Sequence, residues 1–181
     1  MNLNASEQSA ELFRQIVVPH LPDALALARW LTGSVHDAED VVQEASIRAF
    51  KAIESYEGRG PRPWLLSIVR NTCFTWLAKN RPKEIVLAGT SVEMDETEIG
   101  LQEDPRLDPE ADLIRKADMA AIESAVGVLP RIYREVLILH DINDLSYKEI
   151  AAMLSISIGT VMSRLSRARG QIAAHIEQAA S

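Results

Sequence analysis

A strongly acidic segment near the middle of the chain limits what this sequence can fold into. Residues 84–112 carry ten acidic side chains and one basic one, for a net charge of −9, together with two glycines and two prolines. Apolar residues do not recur in this segment at the spacing of a helix or a strand. It therefore has no apolar face that could pack into a core. The sequence therefore predicts a flexible acidic linker over residues 83–112, with one small domain at 1–82 and another at 113–181.

Charge is also segregated outside this linker. The whole chain of 181 residues has a net charge of −7, which taken alone opposes binding to a phosphate backbone. Residues 59–83, however, hold six basic side chains and no acidic one, whereas residues 1–58 sum to −5 and residues 113–181 to +1. Because the charge is clustered in this way, the total does not exclude a protein that binds nucleic acid.

The sequence lacks the residue patterns of an enzyme or a metal protein. The single cysteine, Cys73, cannot form an internal disulfide or a thiolate zinc site, and we expect a buried thiol. His20, His36, His140 and His175 are scattered without metal-ligand spacing. No phosphate-binding loop, nucleophile elbow or His-Glu-x-x-His pair is present, so we expect neither catalysis nor a cofactor.

Membrane insertion and export are not expected either. No apolar run approaches the roughly 18 residues of a membrane-spanning helix. Residues 1–11 lack the basic and apolar blocks of a signal peptide. The sequence therefore predicts a cytoplasmic protein.

Both flanks carry the periodicity and the end signals of helices, so the predicted fold class is all-α. In the N-terminal flank, Leu21–Leu31 is one helical stretch and Ser34 is a good N-cap for a second. Glycines and a proline within residues 56–61 mark a loop. Pro63 then fits the first turn of a further helix, which ends near Lys79.

The C-terminal flank begins with two helical stretches, Leu113–Val126 and one opened by Pro130. Next, Ser146 and Glu149 have the spacing of a capping box, in which the serine side chain accepts from the glutamate amide and the glutamate reaches back. This box predicts the start of a short helix, Tyr147–Leu154.

A tight turn and a longer helix complete the pattern. Residues 155–157 form the predicted turn, and Ser157 caps a last helix from Ile158 to about Glu177, which makes a helix-turn-helix. One face of the last helix is apolar. Another face carries small hydroxyl side chains and an arginine that can pair with guanine in the major groove of DNA. The alternative is that this face is simply exposed to solvent and binds nothing. This second face consists of Ser163, Ser166, Arg167 and Gly170, flanked by Arg164 and Arg169.

The helix that starts at Pro63 predicts a second contact with nucleic acid. One of its faces places an arginine and an asparagine beside an aromatic ring, which suits bases that have left the stack. Core packing is an equal alternative for Phe74 and the favoured interpretation for Trp76. With two arginines of the preceding loop, the candidate residues are Arg59, Arg62, Ser67, Arg70, Asn71 and Phe74.

The helix capped by Ser34 is acidic and would repel DNA. From composition alone, this side is either solvated, which is favoured, or a docking surface for another protein. The residues concerned are Asp37, Glu39, Asp40, Gln43 and Glu44.

Motifs in order along nearly the whole chain resemble the extracytoplasmic-function (ECF) group of bacterial RNA polymerase sigma factors. The sequences LTG at 31–33 and DAEDVVQE at 37–44 resemble the family's polymerase-docking helix. PWLL at 63–66, followed by Arg70 and Asn71, is similar to its minus-ten helix.

The C-terminal domain resembles the family's minus-thirty-five domain. The similar stretches are LP at 129–130, REVL at 134–137, LSYKEIA at 145–151 and GTVMSRL at 159–165. Four pieces in the family's order and spacing are highly specific, although none is decisive alone.

The resemblance implies a sigma factor that binds core RNA polymerase, directs it to promoter DNA and helps to open the duplex. The acidic helix would dock on the clamp helices of the largest subunit, and the flap of the second-largest subunit would be a further contact. An anti-sigma factor is also an implied partner, because it is the family's usual regulator. The implied minus-thirty-five contacts are Lys148, Thr160, Ser163, Arg164, Ser166, Arg167 and Arg169.

A stand-alone helix-turn-helix repressor or activator is the alternative function. Such a protein has no need of an acidic docking helix together with the Arg70 and Asn71 face. The sequence therefore favours the sigma factor.

Overall fold

The computed structural model describes residues 3–58, 60–80 and 120–179. Arg59 and the predicted linker at 83–112 lie outside the described residues. Within them the regular structure is helical, with no strand. Of their helices, none is both long and apolar enough to cross a lipid bilayer.

The N-terminal half packs four helices around a shared core. These are α1 (Leu3–Ile16), α2 (Leu21–Thr32), α3 (Val35–Ala52) and α4 (Pro61–Asn80). Single 3₁₀ turns follow α1 and α3, at Val18–His20 and Ile53–Ser55.

Local signals fix the junction between α2 and α3. Gly33 ends α2 in the left-handed conformation, with φ of 72°, and its amide donates to the carbonyl of Arg29. Ser34 then caps α3, because its side chain accepts from the amide of Asp37 at 3.3 Å. The predicted cap is confirmed.

The start of α4 differs from the expectation by two residues. The helix begins at Pro61, not at Pro63, and ends at Asn80. A proline suits the first helical position because its φ is already helical and its missing amide has no partner there. The earlier of the two prolines therefore starts the helix.

In the C-terminal half, residues 120–127 form α5, and the predicted stretch at 113–119 lies outside the described residues. The helix α6 (Arg131–Leu137) continues into a π-helical turn, Ile138–Ile142. Then come α7 (Tyr147–Leu154) and α8 (Ile158–Ala179).

The predicted helix-turn-helix is confirmed at the level of its hydrogen bonds. Ser146 and Glu149 form the complete capping box of α7, with the Ser146 amide donating to the Glu149 carboxylate at 2.8 Å. Ser155 ends α7 with a φ of 54°. Ser157 caps α8, since its side chain accepts from the Thr160 amide at 3.0 Å.

The buried apolar residues of the two halves form one continuous cluster. In this arrangement α2 contacts the π-helical turn of the C-terminal half and α4 contacts α7. The two domains are therefore packed on each other, and this packing determines what surrounds α4. The largest fully buried side chains are Leu27, Ile53, Leu65 and Leu66 in the N-terminal half and Leu129, Ile138, Leu139, Leu145, Ile150 and Leu165 in the C-terminal half.

Candidate nucleic-acid and polymerase interface

The helix α8 presents the predicted polar face to solvent. Val161, Leu165 and Ala168 are at most 2% exposed and hold the opposite face against the preceding helices. A side chain on Gly170 would meet nothing within 4 Å, so no neighbour inside the protein requires a glycine there. The exposed polar face consists of Ser163, Ser166, Arg167 and Gly170, as expected.

Two arginines on α8 are oriented by contacts with α6 and its π-helical turn. Arg167 donates to the hydroxyl of Tyr133 at 3.2 Å. Arg169 makes two hydrogen bonds to the carboxylate of Asp141, at 2.6 and 3.3 Å, and these raise the pKa of Arg169. Both side chains are exposed, and the contacts raise the pKa of each guanidinium, so both keep their positive charge.

The other predicted minus-thirty-five residues lie on the two helices of the helix-turn-helix. Lys148 is exposed in the first turn of α7, and Arg164 is half-buried on α8. The Thr160 hydroxyl lies 2.8 Å from that of Ser157, at the start of α8. All three are near the N-terminal ends of the two helices of the helix-turn-helix.

The helix α4 also divides into the expected faces. Leu65, Val69 and Thr72 are buried, and Trp76 packs against the core, as favoured. Asn71 is exposed and its side-chain oxygen accepts from Arg70 at 3.0 Å. The Ser67 hydroxyl donates to the Trp64 carbonyl at 2.7 Å.

Phe74 lies on the polar face of α4 and is half-buried. The guanidinium of Arg70 is 4.9 Å from the centre of its ring, and that of Arg131, from α6, is 4.1 Å away. Both distances fit cation–π contacts. The ring therefore contacts two cations as well as the edge of the core.

Two of the predicted minus-ten arginines bind groups outside α4. Arg62 donates to the carboxylate of Asp23 on α2 at 2.5 Å and also to the backbone carbonyl of Asn143. Arg70 forms an ion pair with Glu135 on α6. The contacts to Asn143 and Glu135 come from the C-terminal half, which sequence reasoning did not place here.

The predicted docking residues lie along the exposed side of α3. Glu39, Asp40, Gln43 and Glu44 are exposed, and Asp37 is half-buried in the first turn. Glu39 and Gln43 border an apolar groove between α2 and α3, whose floor is Leu21, Pro22, Leu25 and Val42.

Sequence reasoning missed the apolar end of this side of α3. Ile47 is 47% exposed and Phe50 is 42% exposed, and with Phe13 of α1 they line a second groove. The sequence did contain a signal for this exposed apolar patch. Val41, Ala45 and Ala49 form the buried apolar face of α3, and Ile47 and Phe50 lie outside that face in the helical period.

Cys73 is fully buried on the inner side of α4, which confirms the expected structural thiol. Burial raises the pKa of this thiol to about 12. It therefore stays protonated and unreactive at neutral pH. Among the described residues, no cluster of His, Cys, Asp or Glu is arranged to hold a metal ion.

Comparisons with family models match both halves of the chain. Residues 16–83 match Sigma-70 region 2, and residues 119–172 match Sigma-70, region 4. The first match covers α2 to α4, and the second covers α5 to most of α8.

Similar proteins are sigma factors of several bacteria. The ECF RNA polymerase sigma factor SigE of Mycolicibacterium smegmatis is 32% identical over 87% of this chain and 59% of its own length. SigG of Mycobacterium tuberculosis is 33% identical over 85% of this chain and 46% of its own length. SigW of Bacillus subtilis is 31% identical over 88% of this chain and 86% of its own length. This chain thus spans about half the length of the first two and most of the third.

Solved structures give the same likeness. The sigma factor RpoE of Bartonella quintana, in complex with the anti-sigma factor NepR, has a TM-score of 0.71 and 28% identity over 91% of this chain and 96% of its own. CnrH, in complex with the cytosolic domain of CnrY, has a TM-score of 0.63 and 26% identity over 96% of this chain and 95% of its own.

Together the two matched regions define a bacterial sigma factor of the sigma-70 type. Because the likeness to SigW covers most of both chains, this chain belongs more particularly to the ECF RNA polymerase sigma factors. The predicted fold of two small helical domains is confirmed.

Proposed function

We propose that this protein binds core RNA polymerase, directs it to promoter DNA and takes part in opening the duplex. The observation that carries the proposal is the presence of both sigma-70 regions in order, each with an exposed polar face. Core polymerase is a cytoplasmic enzyme, so the cytoplasm is the proposed place of action. No catalytic step is assigned to the sigma factor itself.

The C-terminal domain, residues 113–181, would read the minus-thirty-five element with α8 in the major groove. Ser163, Ser166 and Arg167 would face the bases, since short hydroxyls let the helix approach and Arg pairs with guanine. The residues that would hold phosphates or fix the register are Lys148, Thr160, Arg164 and Arg169.

The N-terminal domain, residues 1–82, would hold the single-stranded minus-ten element along α4. Arg70 and Asn71 would contact base edges and backbone, and Phe74 would stack on an unpaired base. Arg59, Arg62 and Ser67 would be further contacts of the same strand. The acidic linker, residues 83–112, would connect the two domains.

The side of α3 that is acidic at its start and apolar at its end is the proposed polymerase contact. Asp37, Glu39, Asp40, Gln43 and Glu44 would supply charge complementarity to basic groups on the clamp helices. Ile47 and Phe50 would supply apolar area, which exposed acids alone do not. An anti-sigma factor is the proposed regulator, supported by the similar sigma factor RpoE, which was solved in complex with the anti-sigma factor NepR.

In vitro transcription with core polymerase and a genomic promoter library tests this function. We expect transcripts from a discrete set of promoters that share one minus-ten and one minus-thirty-five sequence. Core polymerase alone is the control. Absence of promoter-dependent transcripts, together with tight operator binding by the protein alone, would instead identify a stand-alone repressor or activator.

A further inference from the structure

Two exposed arginines of α8 are held by different chemical groups. Arg167 donates to a neutral hydroxyl, that of Tyr133, whereas Arg169 donates twice to a carboxylate, that of Asp141. Tyr133 belongs to α6, and Asp141 belongs to the π-helical turn that continues it. One segment of the chain therefore supplies both partners, but only one of the two arginines is paired with an opposite charge.

The hydroxyl of Tyr133 is well placed to fix a long side chain. Its ring is half-buried and packs against the core, and its backbone amide donates to the Pro130 carbonyl at 2.9 Å. A tyrosine side chain has only two rotatable angles, so a packed ring leaves the hydroxyl little freedom. The bond to Arg167 spans 34 residues of sequence and ties the polar face of α8 to α6.

The contact with Tyr133 leaves Arg167 able to pair with a base. A guanidinium has five N–H groups in a planar fork, and the bond to the hydroxyl uses one of those on Nη1. The edge formed by Nε and Nη2 can still donate to O6 and N7 of guanine. Because a side chain loses rotamer freedom when it binds, an arginine that is already held loses less when it contacts the duplex.

Arg169 is held in a way that opposes a phosphate contact. Its Nη2 donates to Asp141 at 2.6 Å and its Nε at 3.3 Å, so the carboxylate lies on the edge of the guanidinium that a phosphate would use. The pair has no net charge, whereas counterion release from DNA requires positive charge at the phosphates. The two side chains are 53% and 35% exposed, and an ion pair this exposed is weak enough for a phosphate to displace. Asp141 therefore weakens the phosphate contact without preventing it.

A purely structural role, in which these contacts only attach α8 to the rest of the domain, is the alternative. The helix is already attached by Val161, Leu165 and Ala168, which are at most 2% exposed. Polar contacts between exposed side chains add little to stability. The contacts are therefore better explained by their effect on the two arginines.

We propose that Tyr133 is a positioning residue for the base contact of Arg167 and that Asp141 restrains the phosphate contact of Arg169. Tyr133 increases the discrimination between base pairs, and Asp141 lowers the affinity that is independent of sequence. Both effects raise the ratio of specific to non-specific binding. The proposal rests on the proposed function, because it requires α8 to read duplex DNA.

Two variants each remove one contact and keep the shape of the side chain. Tyr133→Phe deletes the hydroxyl, and its control is Tyr56→Phe, whose ring packs on Trp64 in the N-terminal half. Asp141→Asn deletes the charge, and its control is Asp144→Asn, which deletes the charge of an exposed residue nearby. Asp144 has a φ of 47°, a conformation that asparagine tolerates. Circular dichroism verifies the fold of each variant.

The first measurement is base preference, by competition between single-base variants of the selected minus-thirty-five duplex. It is made with the polymerase complex and with the protein alone. We expect Tyr133→Phe to lower the preference at the base pair that Arg167 reads by about threefold to tenfold, the effect of one hydrogen bond. In an Arg167→Ala background, Tyr133→Phe should have no further effect. A merely structural role would instead weaken all duplexes alike in both backgrounds.

The second measurement is the salt dependence of duplex affinity. We expect Asp141→Asn to steepen the slope of log affinity against log salt concentration by up to about 0.9, the value for one phosphate contact, with the base preference unchanged. The steepening should vanish in an Arg169→Ala background, and Asp144→Asn should keep the wild-type slope.

The outcomes separate this proposal from the proposed function. If Tyr133→Phe keeps the wild-type preference, or weakens all duplexes equally, the positioning role is overturned. An unchanged slope in Asp141→Asn overturns the restraint. Both results leave the sigma function intact where the wild type still starts transcription at its promoters. If the protein alone prefers one duplex but starts no transcription with core polymerase, the sigma function fails, and the variants still test both roles on that duplex.

Discussion

The guanidinium of Arg134 connects the end of α5 to the start of α6. It donates to the carbonyls of Val126, Gly127 and Leu129, at 3.1, 2.5 and 3.0 Å. Burial lowers the pKa of Arg134 to about 10, so the side chain remains charged at neutral pH. A single buried cation thereby supplies a hydrogen bond to each of three carbonyls at the junction between α5 and α6.

Arg134→Met keeps much of the apolar stem but leaves those three carbonyls without this donor. We expect the free energy of unfolding to fall by about 3 kcal/mol, because each buried polar group left unsatisfied costs about 1–3 kcal/mol. Urea denaturation followed by circular dichroism measures the change. Arg48→Met, at an exposed pair with Glu44, is the control and should cost at most about 0.5 kcal/mol. Equal losses in the two variants would contradict the role of Arg134.

Arg167 is one of three residues on α8 for which a base contact is proposed. We expect Arg167→Ala to cost about 1 to 3 kcal/mol in minus-thirty-five recognition, the size of one base contact. Competition between duplex variants for the polymerase complex measures the change. Arg169→Ala is the comparison, since loss of a phosphate contact weakens all sequences alike and lowers the salt dependence. An unchanged sequence preference in Arg167→Ala would rule out the base contact.

Among the helices, α7 depends on its capping box for a defined start. Hydrogen bonds from the side chain and the backbone amide of Ser146 lower the pKa of Glu149 below its ordinary value of 4.5. Because the folded-state pKa is the lower one, the box stabilises the fold fully above pH 4.5. This stabilisation is lost as the pH falls through the folded-state pKa.

Glu149→Gln tests this pH dependence, since glutamine keeps an acceptor but does not titrate. We expect the wild type to be the more stable protein at neutral pH and the difference to shrink below pH 4.5. Denaturation curves at several pH values give the difference. Ser146→Ala should cost about 1 kcal/mol and remove most of the pH dependence. A difference that stays constant into the acid range would show that the charge of Glu149 does not stabilise α7.

The exposed side of α3 is acidic at its start and apolar at its end, and it continues across the grooves shared with α1 and α2. Such a surface combines charge for orientation with apolar area for affinity. It lies on the opposite side of α3 from the buried Val41 and Ala45. Substitutions on it should therefore change binding without changing the fold.

Asp40→Lys is the corresponding variant for polymerase binding. We expect weaker binding to core polymerase and an intact fold, because Asp40 is exposed and the change reverses its charge. A pull-down of core polymerase with the tagged protein measures it. Glu7→Lys, an exposed charge reversal on α1, is the control. Wild-type retention of polymerase by Asp40→Lys would remove this residue from the docking surface.

For the whole molecule, the net charge of −7 is the sum over regions whose charges have opposite sign. A basic stretch at 59–83 is followed by an acidic one at 84–112. Arg70 pairs with Glu135 of the C-terminal half, and Arg62 pairs with Asp23 of α2. A protein with this distribution should bind DNA weakly by itself. Under the proposed function, core polymerase would bring α4 and α8 to the promoter together.

The helices and their ends could be predicted because their causes are local. The Ser34 cap, the Ser146 and Glu149 box and the Ser157 cap each join atoms three residues apart. The exposed and buried faces of α8 likewise follow from its own period. The two-residue error at Pro61 came from a choice between two prolines that are both compatible with a first turn.

The sequence by itself determined two all-helical regions, a helix-turn-helix and the polar residues on α3, α4 and α8, since these depend on neighbours within a turn or two. Only the tertiary structure decided which groups meet across the chain, such as Arg70 with Glu135, 65 residues apart, and Asn143 with Asp23, 120 apart. Such pairs depend on how two folded surfaces dock. No spacing along the chain encodes that docking, because loop closure between distant residues allows many partners and packing selects one.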